Sequence, residues 1–188
     1  MTTTAQHYGI FETSQGMCAI AWSSRGVTRL RLPEAGADAA ERGLLKRIPQ
    51  ATPAPPPPEI VRAIVAIKRY FSGERADFSD IPVDLGVQDE FFSKVYAAAR
   101  RLPWGETTTY GELAKSVGRS DWEAARDVGQ AMARNPVPLI VPCHRVLAAG
   151  NKVGGFSAPG GAATKIRMLA LEGVVLGASA GAQPSLAL

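Results

Sequence analysis

The residues best suited to chemistry lie together. Cys143, His144 and Arg145 follow Asn135-Pro136-Val137-Pro138-Leu139-Ile140-Val141-Pro142, in which three prolines flank an apolar core. Proline fixes φ, so the backbone that delivers the thiol is stiff. A thiol with an ordinary pKa of about 8.5 is only a few per cent thiolate at neutral pH, so a nucleophilic cysteine needs help. His144 as base and Arg145 as positive field are the candidates. Adjacent side chains on an extended backbone point apart, so His144 would reach Cys143 only across a turn or through one bridging water. The first acid after Asp127 is Glu172, at the end of a helical stretch, Lys165–Leu171, that Gly173 terminates. A carboxylate there opposes the helix dipole by about 0.3–1 kcal/mol, which asks for a partner. With His144 as that partner, Glu172 would orient the imidazole and the imidazole would deprotonate the thiol. The plainer alternatives are a surface lysine pairing Glu172 and a buried structural cysteine beside a structural histidine.

Such a constellation needs elements to hold it. Thr109-Tyr110-Gly111-Glu112 has the capping-box pattern, a hydroxyl at the cap and Glu three residues on. Leu113, Ala114 and Val117 then predict a short helix ended by Gly118. Ser120-Asp121-Trp122-Glu123 repeats the box and predicts a second helix running to Arg134, stopped by Asn135-Pro136. Two short helices joined by a Gly-containing turn have the spacing of a helix-turn-helix. Ala125, Val128 and Met132 form the apolar face of the second helix; Arg126, Gly129 and Ala133 form a stripe with one large residue among small ones. Small residues let a helix approach a duplex closely and one arginine reach into it, although a helix–helix contact also favours small residues.

The first half reads as a β-meander followed by helices. Tyr8–Thr13, Met17–Trp22 and Val27–Leu32 are strand-like, with Ser14-Gln15-Gly16 and Ser23-Ser24-Arg25-Gly26 as turns. Ala37–Ile48 is a predicted helix. Residues 49–58 contain six prolines and predict an extended connector. Pro58 opens a helix whose Ile60, Ile64, Ile67 and Phe71 share a face, and a strand-like piece follows at Ile81–Leu85. Phe91, Val95, Ala98 and Leu102 mark one further helix. We expect an N-terminal support domain over 1–86, a C-terminal domain over 87–176 and a flexible tail over 177–188.

Composition sets the bounds. In 188 residues, 46% are hydrophobic and 20% charged, as in ordinary globular chains, which excludes bulk disorder. No apolar run approaches the ~18–20 residues of a membrane span. The N-terminus has neither a basic nor an apolar leader region, and Cys18 and Cys143 make a poor disulfide framework. These features predict a cytoplasmic chain with no membrane partner, and the paucity of His and Cys predicts no metal site. Residues 1–86 hold ten Lys/Arg against nine Asp/Glu, and 87–188 hold eleven against eight. Val128–Leu171 contains Arg134, Arg145, Lys152, Lys165 and Arg167 and no acid, on a chain of pI near 9.3. A one-sign stretch of this kind suggests a polyanion partner such as nucleic acid, with scattered solvated charges as the plainer alternative.

Pro142-Cys143-His144-Arg145-Val146, preceded by Asn135-Pro136-Val137-Pro138 and followed by Gly154-Gly155-Phe156-Ser157, resembles the O6-alkylguanine-DNA alkyltransferases, also called methylated-DNA–protein-cysteine methyltransferases. The resemblance covers roughly Phe91 to Val174, helix-turn-helix included; the first half is similar only in outline to that family's ribonuclease-H-like domain. It implies an α+β fold with a small β-meander and helix domain before a mostly helical catalytic domain. It implies Cys143 as the nucleophile that takes the alkyl group from guanine O6, with His144, through a water, and Glu172 as the activating relay. Asn135 would brace the turn into the active-site segment. Tyr110 would stand where the nucleotide rotates out, its hydroxyl near guanine N3, and Arg126 would fill the vacated stack. Met132 would wall the pocket, and the carbonyls of Cys143 and Val146 would read the exocyclic amine. Ser157, on the loop with Gly155 and Phe156, would donate to O6, and Lys165 would belong to the same substrate-binding set.

These types suit the reaction. Flipping a base out costs a few kcal/mol, which phosphate contacts and an intercalating arginine must offset. Guanine leaves well only when hydrogen bonds at O6 and N3 stabilise its developing charge. The thioether product has nothing to hydrolyse it, so one chain would repair one base, with no cofactor, as a monomer on double-stranded DNA containing O6-alkylguanine and plausibly O4-methylthymine. In this sequence Ser157-Ala158-Pro159-Gly160-Gly161 is longer than the Ser-Gly-Gly of some relatives, and the zinc ligands of some relatives have no counterpart. The rival readings are a non-catalytic alkyltransferase-like damage sensor, which lacks the cysteine, a helix-turn-helix regulator and a Cys-His hydrolase.

Overall fold

In the computed structural model, residues 5–176 are described. β1 (His7–Thr13), β2 (Gly16–Ser23) and β3 (Gly26–Glu34) form the expected antiparallel meander. β2 is buried on both faces because the pleat sends alternate residues opposite ways. Cys18, Ile20 and Trp22 enter one apolar cluster, while Ala19 and Ala21 enter another with Ala40, Leu44 and Ile48. The helix that covers the second face, α1, spans Ala37–Leu45 and stops short of the predicted Ile48. Pro49 disfavours helical geometry at the residue before it, and the last turn tightens through a bond from Arg47 N to Leu44 O.

The proline-rich connector does more than span a gap. Thr52–Pro53 forms β4, which pairs parallel with His7 and Tyr8 at the sheet edge, giving the order β3-β2-β1-β4. An edge is where a strand tolerates proline, whose missing N–H would break an interior ladder. The expected strand at Ile81–Leu85 reduces to a single bridge between Val83 and Val27. α2 (Pro58–Phe71) starts on proline as predicted, but its buried face is Ile60, Ala63, Ile67, Tyr70 and Phe71, with Ile64 only half-buried.

In the second half, α3 (Glu90–Ala99) is capped by Asp89, which accepts from the backbone N–H of Phe91 and Phe92. Its buried face is Val95, Tyr96 and Ala99, rotated by one residue from the predicted one. The rotation lets Tyr96 Oη donate to Ala131 O at 2.8 Å. α4 (Tyr110–Ser116) carries the full Thr109–Glu112 capping box. α5 (Ala124–Arg134) does not use the second one: its first-turn cap is Glu123 without a side-chain bond, and Ser120 stays exposed. Asp121 is drawn to Arg119 instead, at 2.7 Å. Ala124, not Ala125, is the buried first residue of α5, with Val128, Ala131 and Met132. β5 (Thr108–Thr109) and β6 (Val146–Leu147) pair in parallel, and α6 (Gly161–Leu171) closes the chain's described part. One apolar cluster runs from Ile20 and Ile67 through Tyr96 and Val128 to Val141 and Met168, so the two halves share a core. Among the described residues no helix is long and apolar enough to cross a membrane.

Candidate active site

Cys143 lies on a 3-10 turn, Cys143–Arg145, not on extended backbone. Asn135 sets the approach to it. Its Oδ1 accepts from Val137 N at 3.0 Å and its Nδ2 donates to Val141 O at 2.8 Å, closing the proline-rich loop on itself. Leu139 in that loop holds φ at 78° while almost fully buried, a left-handed conformation costing about 1–3 kcal/mol for such a residue. Pro136 O accepts from Leu30 N at 3.0 Å, so the loop also hangs from β3. Burial raises the Cys143 thiol above its ordinary range; the Asn135 amide and the Lys165 charge work in the other direction without cancelling it.

His144 is completely buried. Its Nε2 lies 2.6 Å from Glu172 Oε1, so the predicted pairing is present. Among the described residues no lysine pairs Glu172. Arg145 does, through Nε to Oε2 at 2.8 Å and Nη2 to Oε1 at 3.0 Å. This corrects the expected role of Arg145: its charge is matched by Glu172, and its Nη1 donates to Leu102 O. Burial alone would raise the Glu172 carboxyl, but His144 and Arg145 outweigh it and bring its pKa down to about 2. Burial lowers the His144 pKa against the pull of Glu172, so the ring is neutral. An ionised Glu172 accepts the Nε2 proton, which leaves the lone pair on Nδ1. Among the described residues, that Nδ1 is a buried side-chain nitrogen without a partner.

Sequence reasoning missed Tyr70 altogether. Its hydroxyl lies 3.0 Å from Glu172 Oε1, 3.3 Å from His144 Nε2 and 3.2 Å from Met168 O. Its ring is held edge-on by Phe71 and Trp104. The only sequence sign is that Tyr70 falls next to the apolar stripe of α2, where a buried hydroxyl requires a partner. Gly105 contributes its N–H to Glu172 Oε2 at 3.2 Å, with φ at 77° that favours glycine.

Above Cys143 opens a cavity of about 270 Å³ lined by Tyr110, Met132, Cys143, Gly155, Phe156 and Ser157. Gly129 and Ala133 of the α5 stripe complete its rim. The β5–β6 pairing sets Thr109 opposite Leu147, which brings Tyr110, first residue of α4, over this cavity. Tyr110 Oη is 3.5 Å from Gly155 O. Gly154 has φ at 69°, and a Cβ there would come within 3.2 Å of that hydroxyl, so glycine is required twice over. Lys165 is fully buried; Nζ donates to Val146 O at 2.6 Å and lies 3.4 Å from Gly155 O, stapling β6 to the glycine-rich loop. Burial lowers its pKa to about 8, with Cys143 opposing the shift. The Val146 carbonyl therefore accepts from a buried ammonium.

Arg126 is exposed on the outer face of α5, beside Gly129 and Ala133. It rests against Glu123 at 2.9 Å and 5.7 Å from the ring centroid of Trp122, itself 85% exposed. Asp127 turns to Arg119 at 2.9 Å and lies 3.9 Å from Arg126. Cys143, His144, Glu172, Asn135, Tyr110, Met132, Val146, Gly155, Phe156, Ser157 and Lys165 thus gather around one cavity and its floor, while Arg126 stands outside on the same helix that supplies Met132.

The DNA-binding domain of 6-O-methylguanine DNA methyltransferase matches residues 90–174, and the ribonuclease-like domain of that protein matches 6–85. A methylated-DNA–protein-cysteine methyltransferase from Sulfolobus acidocaldarius is 34% identical over 167 residues, 89% of this chain and 93% of that one. The protein of that name from Metallosphaera sedula is 42% identical over 110 residues, 58% of this chain. The match spans 65% of the Metallosphaera protein and 63% of its counterpart from Mycolicibacterium paratuberculosis, just under two thirds of their length. Among solved structures, the O6-methylguanine methyltransferase of Mycobacterium tuberculosis superposes with a TM-score of 0.70 at 34% identity, covering 89% of this chain and 92% of that one. That organism's protein in complex with DNA gives 0.70 at 33% identity, covering 88% and 92%.

Proposed function

Because this chain belongs to the 6-O-methylguanine DNA methyltransferase family, we propose that it repairs alkylated DNA by taking the alkyl group from guanine O6 onto Cys143, irreversibly and once per chain. Residues 87–176 bind DNA and react, and residues 1–86 support them. The observation that carries this reading is Cys143 on the floor of the cavity, one residue from a neutral histidine whose outer nitrogen is paired with Glu172 and whose inner nitrogen is open.

The residues divide the work by position. Arg126 leaves Glu123 and enters the stack as the damaged nucleotide rotates out past Tyr110; surface ion pairs of this kind are worth ~0–1 kcal/mol, so releasing one is easy. The guanine ring packs on Met132, with Ser157 facing O6 and Tyr110 facing N3. Nδ1 of His144 takes the thiol proton through a water, and Glu172 holds the imidazolium that forms. The sulfur attacks the alkyl carbon, the C–O bond breaks, and its electron pair goes to guanine O6, where the donors stabilise the developing charge. The proton taken from the thiol passes from His144 through water to the departing guanine, which ends neutral, and Cys143 ends as a thioether. At rest the thiol is held protonated by burial, so it is quiet until a base fills the cavity.

The test is peptide mass spectrometry after incubation with a duplex carrying one O6-methylguanine. A gain of one methyl on the Cys143 peptide, saturating at one per chain, is expected. Tight binding with no gain would leave a damage sensor; no gain and no lesion preference would overturn the reading.

A further inference from the structure

A second cleft, also of about 270 Å³, lies between β3, the end of α1 and the segment that leads to Cys143. Ala133, Cys143, Phe156 and Ser157 line both spaces, so the two adjoin. Every charged residue lining this cleft is basic: Arg29, Arg31, Arg47 and Arg134. Arg31 is matched by Glu34. Among the described residues, Arg29, Arg47 and Arg134 have no carboxylate in salt-bridge range, and the Arg134 guanidinium lies over the Phe92 ring. Arg29 and Arg47 also repel one another: burial and the Arg47 charge lower the Arg29 pKa. Three cations from β3, the turn after α1 and the end of α5, gathered without counter-charge in a concavity, focus a positive field there.

We infer that this cleft binds the sugar–phosphate backbone of a single DNA strand leading away from the everted nucleotide. This rests on the proposed function, since it takes the strand from the adjoining cavity. The α5 stripe of Arg126, Gly129 and Ala133 gives the track: Ala133 belongs both to the surface that would meet DNA and to the lining of the cleft. A space of this size lodges a phosphate and its sugar and has no room for a duplex, so the occupant is one strand. Guanidinium forks suit phosphate oxygens bidentately. Phe156 is the only aromatic residue in the lining, so the contact is made to backbone and is indifferent to sequence. The protein would therefore hold lesions beside gaps, overhangs or other single-stranded stretches more tightly than lesions inside an intact duplex.

Fluorescence anisotropy on two DNAs tests this: one blunt duplex and the same duplex with a ten-nucleotide single-stranded extension, each titrated over a range of salt. The wild-type chain is expected to bind the extended DNA about ten-fold more tightly. In the Arg29→Gln/Arg47→Gln double variant that gain disappears, the salt slope on extended DNA falls by about 1.4 for two lost single-strand phosphate contacts, and blunt-duplex affinity is unchanged. Arg29→Lys/Arg47→Lys retains part of the gain. Equal losses on both DNAs, or an undiminished gain, would overturn the inference, as would a change confined to self-association by sedimentation. Arg126→Ala separates the two readings: it weakens both DNAs if the proposed function holds, whereas a chain that binds neither DNA fails at that earlier level.

Discussion

At the residue scale, the contact behind Cys143 centres on one carboxylate that serves three side chains and the Gly105 N–H. Glu172 takes Nε2 of His144, two nitrogens of Arg145 and the hydroxyl of Tyr70. Arg145 neutralises Glu172, so the carboxylate stays ionised while buried, and Glu172 fixes the tautomer of His144 with the lone pair on the unpartnered Nδ1. Tyr70 comes from the first half of the chain and acts through Glu172, which makes it a positioning residue. Tyr70→Phe keeps the ring packed against Trp104 and removes only the hydroxyl. A hydrogen bond to a charged group is worth about 1.5–3 kcal/mol, so alkyl transfer should slow by ten-fold or more. With one donor fewer on Glu172, the acid limb of the rate–pH profile should move upward. A rate loss with the acid limb unmoved would reduce Tyr70 to packing.

The elements differ in how they begin. α4 starts on a complete capping box, whereas α5 starts on Glu123 with no side-chain bond because Arg119 draws Asp121 and Asp127 to itself. The box matters beyond helix stability, since Thr109 is also the last residue of β5 and fixes Tyr110 over the cavity. Thr109→Ala should cost about 1 kcal/mol, a fall in Tm of about 2–4 °C for a chain of this size. Ser120→Ala, in the box that the sequence suggests and α5 does not use, should leave Tm unchanged. Thermal unfolding of the two variants decides it: equal losses would mean that Ser120 caps after all.

At the scale of the whole molecule, the two halves are joined at the chemistry. One apolar cluster runs through both, Leu30 N holds the proline-rich loop at Pro136 O, and Tyr70 reaches into the relay. Protonating the relay should therefore loosen the molecule as one unit. The Glu172 pKa is depressed to about 2, so its contribution is complete above the carboxyl's unfolded value, about 4.3, and is lost as pH falls toward 2. His144 is also depressed, and a buried neutral histidine loses stability as pH falls below its unfolded value of about 6.5. Both groups bind more protons unfolded than folded, so the signs agree. Denaturant titrations should show stability falling from about pH 6.5 and more steeply below about 4.3, by a few kcal/mol in all, as a single transition. Stability that is flat from pH 7 to 3 would refute the coupling.

What the residues determine alone is what depends on near neighbours. The meander, the proline-opened α2, the Thr109 box, the stop at Asn135-Pro136 and the stiff delivery of Cys143-His144 follow from side-chain size, φ restriction and local hydrogen bonding, all readable within a few positions. Glu172 was reachable too, because a carboxylate at a helix C-terminus is an unpaid electrostatic debt. The tertiary structure decided the rest. Tyr70 stands 102 positions before Glu172 and shows no local mark of its role. The partner of Arg145, the two-residue pairing that sets Tyr110, the edge strand within the proline run and the meeting of Arg29, Arg47 and Arg134 are likewise contacts between distant segments. Periodicity and capping rules act over one or two turns, whereas these pairings are chosen by the packing of a shared core.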